Sequence, residues 1–84
     1  MHSVEVVTGL GDDLSIVWMV LYNGYQHGGD IDSSGAGNLT FKTPEEADAY
    51  AKELYHPLLM NSKTVLFLTS KDYRESMMRF ASNG

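Results

Sequence analysis

The pattern of apolar and polar positions predicts three strands in the first half of the chain, together with a weak return strand that starts at Tyr25 and breaks soon after Gln26. Residues 3–8 are short, β-branched and partly alternating, which is typical of a strand. Residues 14–22 are almost entirely apolar, which predicts a strand that is either covered on both faces or left open on one face for a partner. An Asn-Gly pair stands between Tyr22 and Tyr25 and predicts a two-residue type I′ hairpin. A further strand is expected at residues 38–42.

Helical spacing of apolar residues replaces this pattern after residue 42. Thr43 and Glu46 form a capping box around Pro44, which favours the first position of a helix. The helix is expected to end near His56 and Pro57, because the residue before a proline avoids helical geometry. The apolar face of this helix holds Ala47, Tyr50, Ala51, Leu54 and Tyr55.

The remaining chain predicts one more strand and one more helix. Residues 64–69 are an apolar strand, and Ser70 is expected to cap a helix. The residues that share one face of this helix are Tyr73, Met77, Phe80 and Ala81. Pairing between residues 64–69 and residues 38–42, in parallel, is left open. The chain is thus predicted to be a single domain, residues 1–84, of the α+β class, with a mostly antiparallel sheet of about four strands and two helices packed on one face.

Charge is distributed unevenly and changes the list of expected partners. Eleven acidic and six basic residues give a net charge of −5. Residues 1–41 hold five acids and no Lys or Arg, whereas residues 42–84 hold six of each, so the whole excess comes from the first half. An acidic chain repels phosphate backbones, so direct binding to nucleic acid is not expected. An acidic face that docks on a basic protein surface is expected instead.

Composition excludes several other classes. The chain has no cysteine, which removes disulfide scaffolds and thiol chemistry. No apolar run approaches the roughly 20 residues of a membrane helix. The first residues lack the basic and apolar segments of a secretion signal, so a cytoplasmic protein without membrane contact is expected.

The glycine-rich segment 27–38 is the part of the sequence in which a metal site or a catalytic site could lie. Residues 30–35 match the first half of a calcium loop, but the last ligand position holds Phe41 instead of glutamate. His27 near two aspartates is a weak metal set, and we interpret it as a solvated loop histidine. No nucleophile stands in a recognisable catalytic setting. We therefore expect neither metal nor cofactor, and no enzymatic activity.

Three functional hypotheses follow. The first is a monomeric, protein-binding inhibitor or adaptor that occupies a basic surface of a larger protein or ribonucleoprotein complex. Its candidate contact residues are Asp12, Asp13, Tyr25, Asp30 and Asp32. The alternative is a small-molecule- or metal-binding domain, or a small enzyme, with a site in loop 27–38. The third is a homo-oligomer formed through residues 14–22.

The chain also resembles a known class of proteins. It has 84 residues, is acidic and lacks cysteine, and its Asn-Gly hairpin is followed by Thr-Pro-Glu-Glu and an amphipathic helix. These features are similar to those of the small phage-encoded anti-CRISPR proteins. The resemblance implies a non-enzymatic inhibitor of a Cas protein or of a type I CRISPR effector complex, acting in the bacterial host cytoplasm. The modest net charge of −5 favours a local contact over mimicry of a whole DNA duplex.

Overall fold

A four-stranded mixed sheet and two helices make up the fold. The computed structural model describes residues 2–61 and 65–83. The strands are β1 (His2–Leu10), β2 (Ile16–Tyr22), β3 (Tyr25–Gln26) and β4 (Val65–Leu68), and the helices are α1 (Pro44–Asn61) and α2 (Ser70–Asn83). In the sheet order β3-β2-β1-β4, only β4 runs parallel to its neighbour β1. The predicted α+β class with a mostly antiparallel sheet is confirmed.

The core lies on one face of this sheet, called here the inner face. Its buried residues are Val4, Val6, Trp18, Val20, Ala47 and Ala51, which come from β1, β2 and α1. Helix α2 joins them through Tyr73, whose hydroxyl oxygen lies 2.6 Å from Thr8 Oγ1 and whose ring meets the Trp18 ring edge-on. Both helices therefore cover the same face, as the sequence predicts.

The opposite, outer face of the sheet has none of the described helices against it. Val7 and Met19 pair across β1 and β2 on this face and are half-buried, as is Leu21. On β4, Leu66 and Leu68 are more exposed. Except at Val17, which is buried near the start of β2, the strand thus has one open face, which is the second of the two possibilities raised by its unbroken apolar sequence.

Strand β2 begins at Ile16, two residues later than predicted. Leu14 lies in the turn that joins β1 to β2, with a φ of 65°, and its N–H donates to the carbonyl oxygen of Gly11 at 2.9 Å. Leu14 is apolar but 78% exposed. The hydrophobicity of Leu14 favours a place in the strand, but its backbone conformation places it in the turn.

The predicted strand at residues 38–42 is reduced to one bridge. Phe41 and Trp18 exchange two backbone hydrogen bonds of 2.7 and 2.8 Å. The ladder stops there because Thr43 already caps α1. Strand β4 pairs with β1 rather than with this segment. Thr64, which the sequence also predicts to belong to the last strand, lies outside the described residues.

Helix α1 begins as predicted but ends later. The Glu46 N–H donates to Thr43 Oγ1 at 3.3 Å, so Thr43 caps the helix as predicted, and the Thr43 hydroxyl donates to Glu46 Oε1 at 2.9 Å, so the second bond of the box joins the two side chains. The expected end near Pro57 is wrong, because the helix continues to Asn61. A proline inside a helix loses one hydrogen bond and crowds the carbonyl four residues before it, but Leu58 beyond Pro57 packs against the core, and this packing favours continuation of the helix.

The cap of α2 is Thr69 and not Ser70. Thr69 N–H donates to Asp72 Oδ2 at 2.8 Å, and Asp72 N–H returns a longer bond of 3.4 Å to Thr69 Oγ1. Ser70 is the first helical residue and is buried; its N–H donates to Asp48 Oδ1 of α1 at 2.8 Å. The Ser70 hydroxyl donates to the other Asp48 oxygen, so this serine ties the two helices together.

The apolar face predicted for α2 is only partly buried. Tyr73 packs against the core, but Met77 is 50% exposed and Phe80 78% exposed. The side chain of Ala81 lies outside the described part of the structure. Helical spacing places these residues on one side of α2, but it does not determine whether another element lies against that side.

Candidate functional site

The β2–β3 hairpin presents Tyr25 to solvent. Asn23 and Gly24 both have positive φ, 51° and 88°, as a type I′ turn requires, and the predicted turn is confirmed. Asn23 also accepts a hydrogen bond from Ser3 N–H at 2.8 Å through its Oδ1, so the hairpin is tied to the start of β1. Tyr22 and Tyr25 pair directly across the strands, and Tyr25 is 57% exposed.

The chain beyond Gln26 forms a loop that is closed by a narrow neck. The carbonyl oxygen of Gly28 accepts the N–H groups of Asn38 and Leu39, at 2.9 and 3.2 Å. Gly28 has a φ of 98°, and a Cβ atom there would lie 2.7 Å from Tyr50 Oη. Glycine is therefore required where the loop touches α1. A further hydrogen bond closes the same neck, because Asn38 Oδ1 accepts the N–H of Asp30 at 2.8 Å.

Asp32 shapes the tip of the loop. Its Oδ1 accepts three hydrogen bonds, from the N–H and hydroxyl of Ser34 and from the N–H of Ala36. These bonds favour the charged carboxylate, with the Ser34 hydroxyl contributing most, and they lower the pKa of Asp32 below its ordinary value. Asp32 is therefore both a surface charge and part of the turn.

The loop folds back toward the hairpin and leaves a cleft of about 450 Å³ between them. The cleft is lined by Tyr22, Asn23, Tyr25, Gln26, His27, Ile31, Ser34 and Gly35. Ile31 is 60% exposed at its rim, between the exposed Asp30 and Asp32. We call Tyr25, Asp30, Ile31 and Asp32 the hairpin-loop surface, and it brings together three of the five residues singled out from the sequence.

The other two residues, Asp12 and Asp13, lie at the opposite end of the sheet. They occupy the turn before β2, and the hairpin follows β2, so the length of this strand, about 20 Å, separates the two acidic pairs. Both aspartates border the same shallow depression as Lys42. Asp13 Oδ1 accepts from the Ser15 hydroxyl and N–H, which lower the pKa of Asp13. The four aspartates thus form two separate acidic pairs.

His27 is better integrated than its sequence context suggests. The sequence predicts a solvated loop residue, but His27 is half-buried, and its Nδ1 lies 2.7 Å from Tyr50 Oη of α1. Its ring also packs against those of Tyr22 and Tyr50. His27 therefore anchors the start of the loop to both β2 and α1. No local sequence signal marks this contact, because His27 and Tyr50 are 23 residues apart.

The chemical character of the hairpin-loop surface follows from the side chains that it exposes. Within residues 2–61 and 65–83, no three His, Cys, Asp or Glu side chains come together as a metal site. Asp32, the central carboxylate of the half calcium motif, directs Oδ1 to its own loop. What the surface offers is an exposed aromatic ring, an exposed aliphatic side chain and two carboxylates.

Comparison with known proteins adds no relatives. No protein-family model matches the chain, and no curated protein or solved structure is significantly similar to it. Among the described helices, neither combines the length and apolar character needed to cross a membrane.

Proposed function

We propose that this protein is a non-enzymatic inhibitor that binds a basic surface of a larger protein or ribonucleoprotein through the hairpin-loop surface. The observation that carries the proposal is the grouping of exposed Tyr25 and Ile31 with the carboxylates of Asp30 and Asp32. Aromatic and aliphatic anchors beside charges are typical of protein interfaces. Residues 1–41 contain no Lys or Arg, so no base from this segment neutralises the surface.

The proposed partner is a subunit of a type I CRISPR effector complex. The resemblance in size, acidity and element order to small anti-CRISPR proteins supports this choice. Subunits that hold nucleic acid present basic grooves, and an acidic surface is complementary to them. The protein would act as a monomer in the bacterial cytoplasm and block the complex by occupying such a groove.

The experiment measures binding to a purified type I effector complex at low and moderate salt. Asp30→Asn combined with Asp32→Asn removes two charges from the hairpin-loop surface, and asparagine keeps the Oδ1 acceptor used by Ser34. The matched control, Asp12→Asn with Asp13→Asn, removes the same charge at the opposite end. We expect the loop pair to slow association roughly tenfold and to weaken the salt dependence, and the control pair to have little effect.

Tyr25→Ala tests the apolar part of the same surface. Tyr25 makes no side-chain hydrogen bond to the described residues, so its removal should weaken binding by about tenfold or more with little loss of stability. If binding and its salt dependence are the same for the wild type, the loop pair and Tyr25→Ala, the hairpin-loop surface is not the interface. If no type I complex binds the wild type, the partner is wrong.

A second candidate function is small-molecule binding in the cleft of about 450 Å³. The observation in its favour is the lining of two tyrosines, a histidine and two side-chain amides, which suits a polar planar ligand. A rise in melting temperature with nucleosides or monosaccharides, abolished by Tyr25→Ala, would favour this function. Macromolecular binding without such a rise would favour the first.

A further inference from the structure

Half of the central strand β1 lacks a neighbour on one side. Strand β4 pairs with β1 only from His2 to Glu5, where it ends at Leu68. On that side, no described strand pairs with the rest of β1, from Val6 to Leu10. We call this segment the open edge. It is independent of the hairpin-loop surface, which lies on the far side of β2.

The backbone of the open edge has hydrogen-bonding groups that point outward. Ser3 C=O accepts the N–H of Asn23 on the β2 side, so the odd-numbered residues of β1 direct their backbone groups toward β2. Alternation then directs the C=O of Val6 and the backbone groups of Thr8 and Leu10 toward the side that β4 leaves open, because the Val6 N–H already completes the parallel ladder at Leu68. A row of such groups is a template for an added strand.

A cleft of about 350 Å³ opens at the start of this edge, between the sheet and α2. Its lining includes Val6 and Val7 of the open edge, Glu5 and Leu68 beside them, and Asp72 and Arg79 of α2. An added strand here would have the α2 side chains on its inner side and Val7 with Leu68 on its outer side. The two sides of the cleft therefore offer alternating environments, which suit the alternating side chains of an extended peptide.

The charges in the cleft indicate what such a peptide carries. Among the described residues, no carboxylate lies within ion-pairing distance of the Arg79 guanidinium. Asp72 is also charged, but the two hydrogen bonds from Thr69 hold its Oδ2 at the first turn of α2, about 10 Å along the helix from Arg79. Glu5 lies on the outer side, where it disfavours a second acid. An acidic side chain is thus favoured on the inner side and an aliphatic one on the outer side.

We propose that the open edge binds an extended segment of a partner protein as an additional strand in line with β4. The segment carries an acidic residue directed toward Arg79, between aliphatic residues that contact Val7 and Leu68. Main-chain hydrogen bonds to the open edge hold the segment, and the alternating side chains select it.

The test uses the whole protein labelled with ¹⁵N and an acetylated, amidated peptide of sequence Thr-Val-Glu-Val-Thr. We expect saturable amide shifts at Val6–Leu10 and on α2 around Arg79, at micromolar to millimolar peptide. A peptide with lysine in place of glutamate should bind roughly two- to fivefold more weakly, the scale of one exposed ion pair, and Arg79→Gln should remove that preference. A peptide N-methylated at every residue should not bind, because it cannot complete the ladder.

Thr8 supplies a matched pair of protein variants. Thr8→Pro removes the N–H directed toward the open edge, while Thr8→Val keeps it, and both lose the hydroxyl contact with Tyr73. We expect Thr8→Val to bind the peptide and folded Thr8→Pro not to bind it. If Thr8→Pro does not fold, the measurements with the N-methylated peptide and with Arg79→Gln test the proposal in its place.

Two results would overturn the proposal. One is the absence of shifts at the open edge at saturating peptide. The other is a concentration-dependent sedimentation coefficient with the same amides shifting without peptide, which would assign the edge to a second copy of this chain.

Discussion

Single aspartates organise the loops of this protein before they serve any partner. Asp13 accepts from Ser15, and Asp32 accepts from Ser34, in the same Asp-x-Ser arrangement. In both cases the serine hydroxyl contributes most to a lowered pKa of the carboxyl group. Two of the four carboxylates that the sequence assigned to binding, those of Asp13 and Asp32, are therefore also fixed in position. An interface built on them loses less conformational freedom when it forms.

Asp72 provides a residue-scale prediction of pH dependence. The Thr69 N–H, and then its hydroxyl, lower the pKa of Asp72 below 3.8. A lowered folded-state pKa gives stability that is present above the unfolded value and is lost as the pH falls through the folded value. Asp72→Asn should therefore melt at a lower temperature than the wild type at neutral pH, and the difference should vanish in strong acid.

The control for this variant is Glu75→Gln on the same helix. Glu75 makes only an exposed ion pair with Lys71, at 4.0 Å, so its neutralisation should change the melting temperature little at any pH. Melting curves of Asp72→Asn that differ from the wild type equally at neutral and at strongly acidic pH would contradict the assigned role of the carboxylate.

Among the secondary-structure elements, the hairpin is the one whose sequence determines its geometry most directly. Gly24 has a φ of 88°, and a Cβ atom added there would meet no atom within 4 Å, so only backbone strain opposes a side chain. Gly24→Val should cost about 1–3 kcal/mol of unfolding free energy. Gly24→Asn is the matched control, because asparagine tolerates positive φ, and it should remain close to the wild type.

Chemical denaturation measures both hairpin variants. Strain at the turn also endangers the register of β2, because a slip by one residue would exchange its inner and outer faces. Loss of the Hα–Hα contact between Val20 and Val6, which lie directly opposite each other in β1 and β2, in Gly24→Val and not in Gly24→Asn would reveal such a slip. Equal unfolding free energies for the wild type and Gly24→Val would contradict the role of the turn.

At the scale of the whole molecule, α2 completes the core, and Tyr73 is its main contact with the sheet. Tyr73 joins Thr8 and Trp18 on the inner face, whereas Phe80 on the same helix is 78% exposed. Tyr73→Ala should therefore lower the unfolding free energy by about 2–4 kcal/mol, and Phe80→Ala by less than about 0.5 kcal/mol. Denaturant unfolding of the two variants side by side tests this; similar losses would mean that α2 packs differently.

At this scale the sequence predicts local features well and long-range ones poorly. The hairpin and the capping box at Thr43 were predictable, because each depends on residues within a few positions. The pairing of β4 with β1 was not, because it joins His2 to Val65 and no local pattern selects the neighbour of a strand. The same limit applies to the candidate site, where the sequence grouped Asp12 with Asp30 by charge although β2 separates them.

The exposure of the second half of α2 has a consequence for oxidative damage. Met77 is 50% exposed, and Met60 at the end of α1 is 88% exposed, so oxidants reach both residues without unfolding the protein. A methionine sulfoxide is polar, but neither side chain contributes to the buried core. Oxidation should therefore leave the fold intact and make the surface of α2 more polar. Binding of any partner that contacts this helix should then be lost while the protein remains folded.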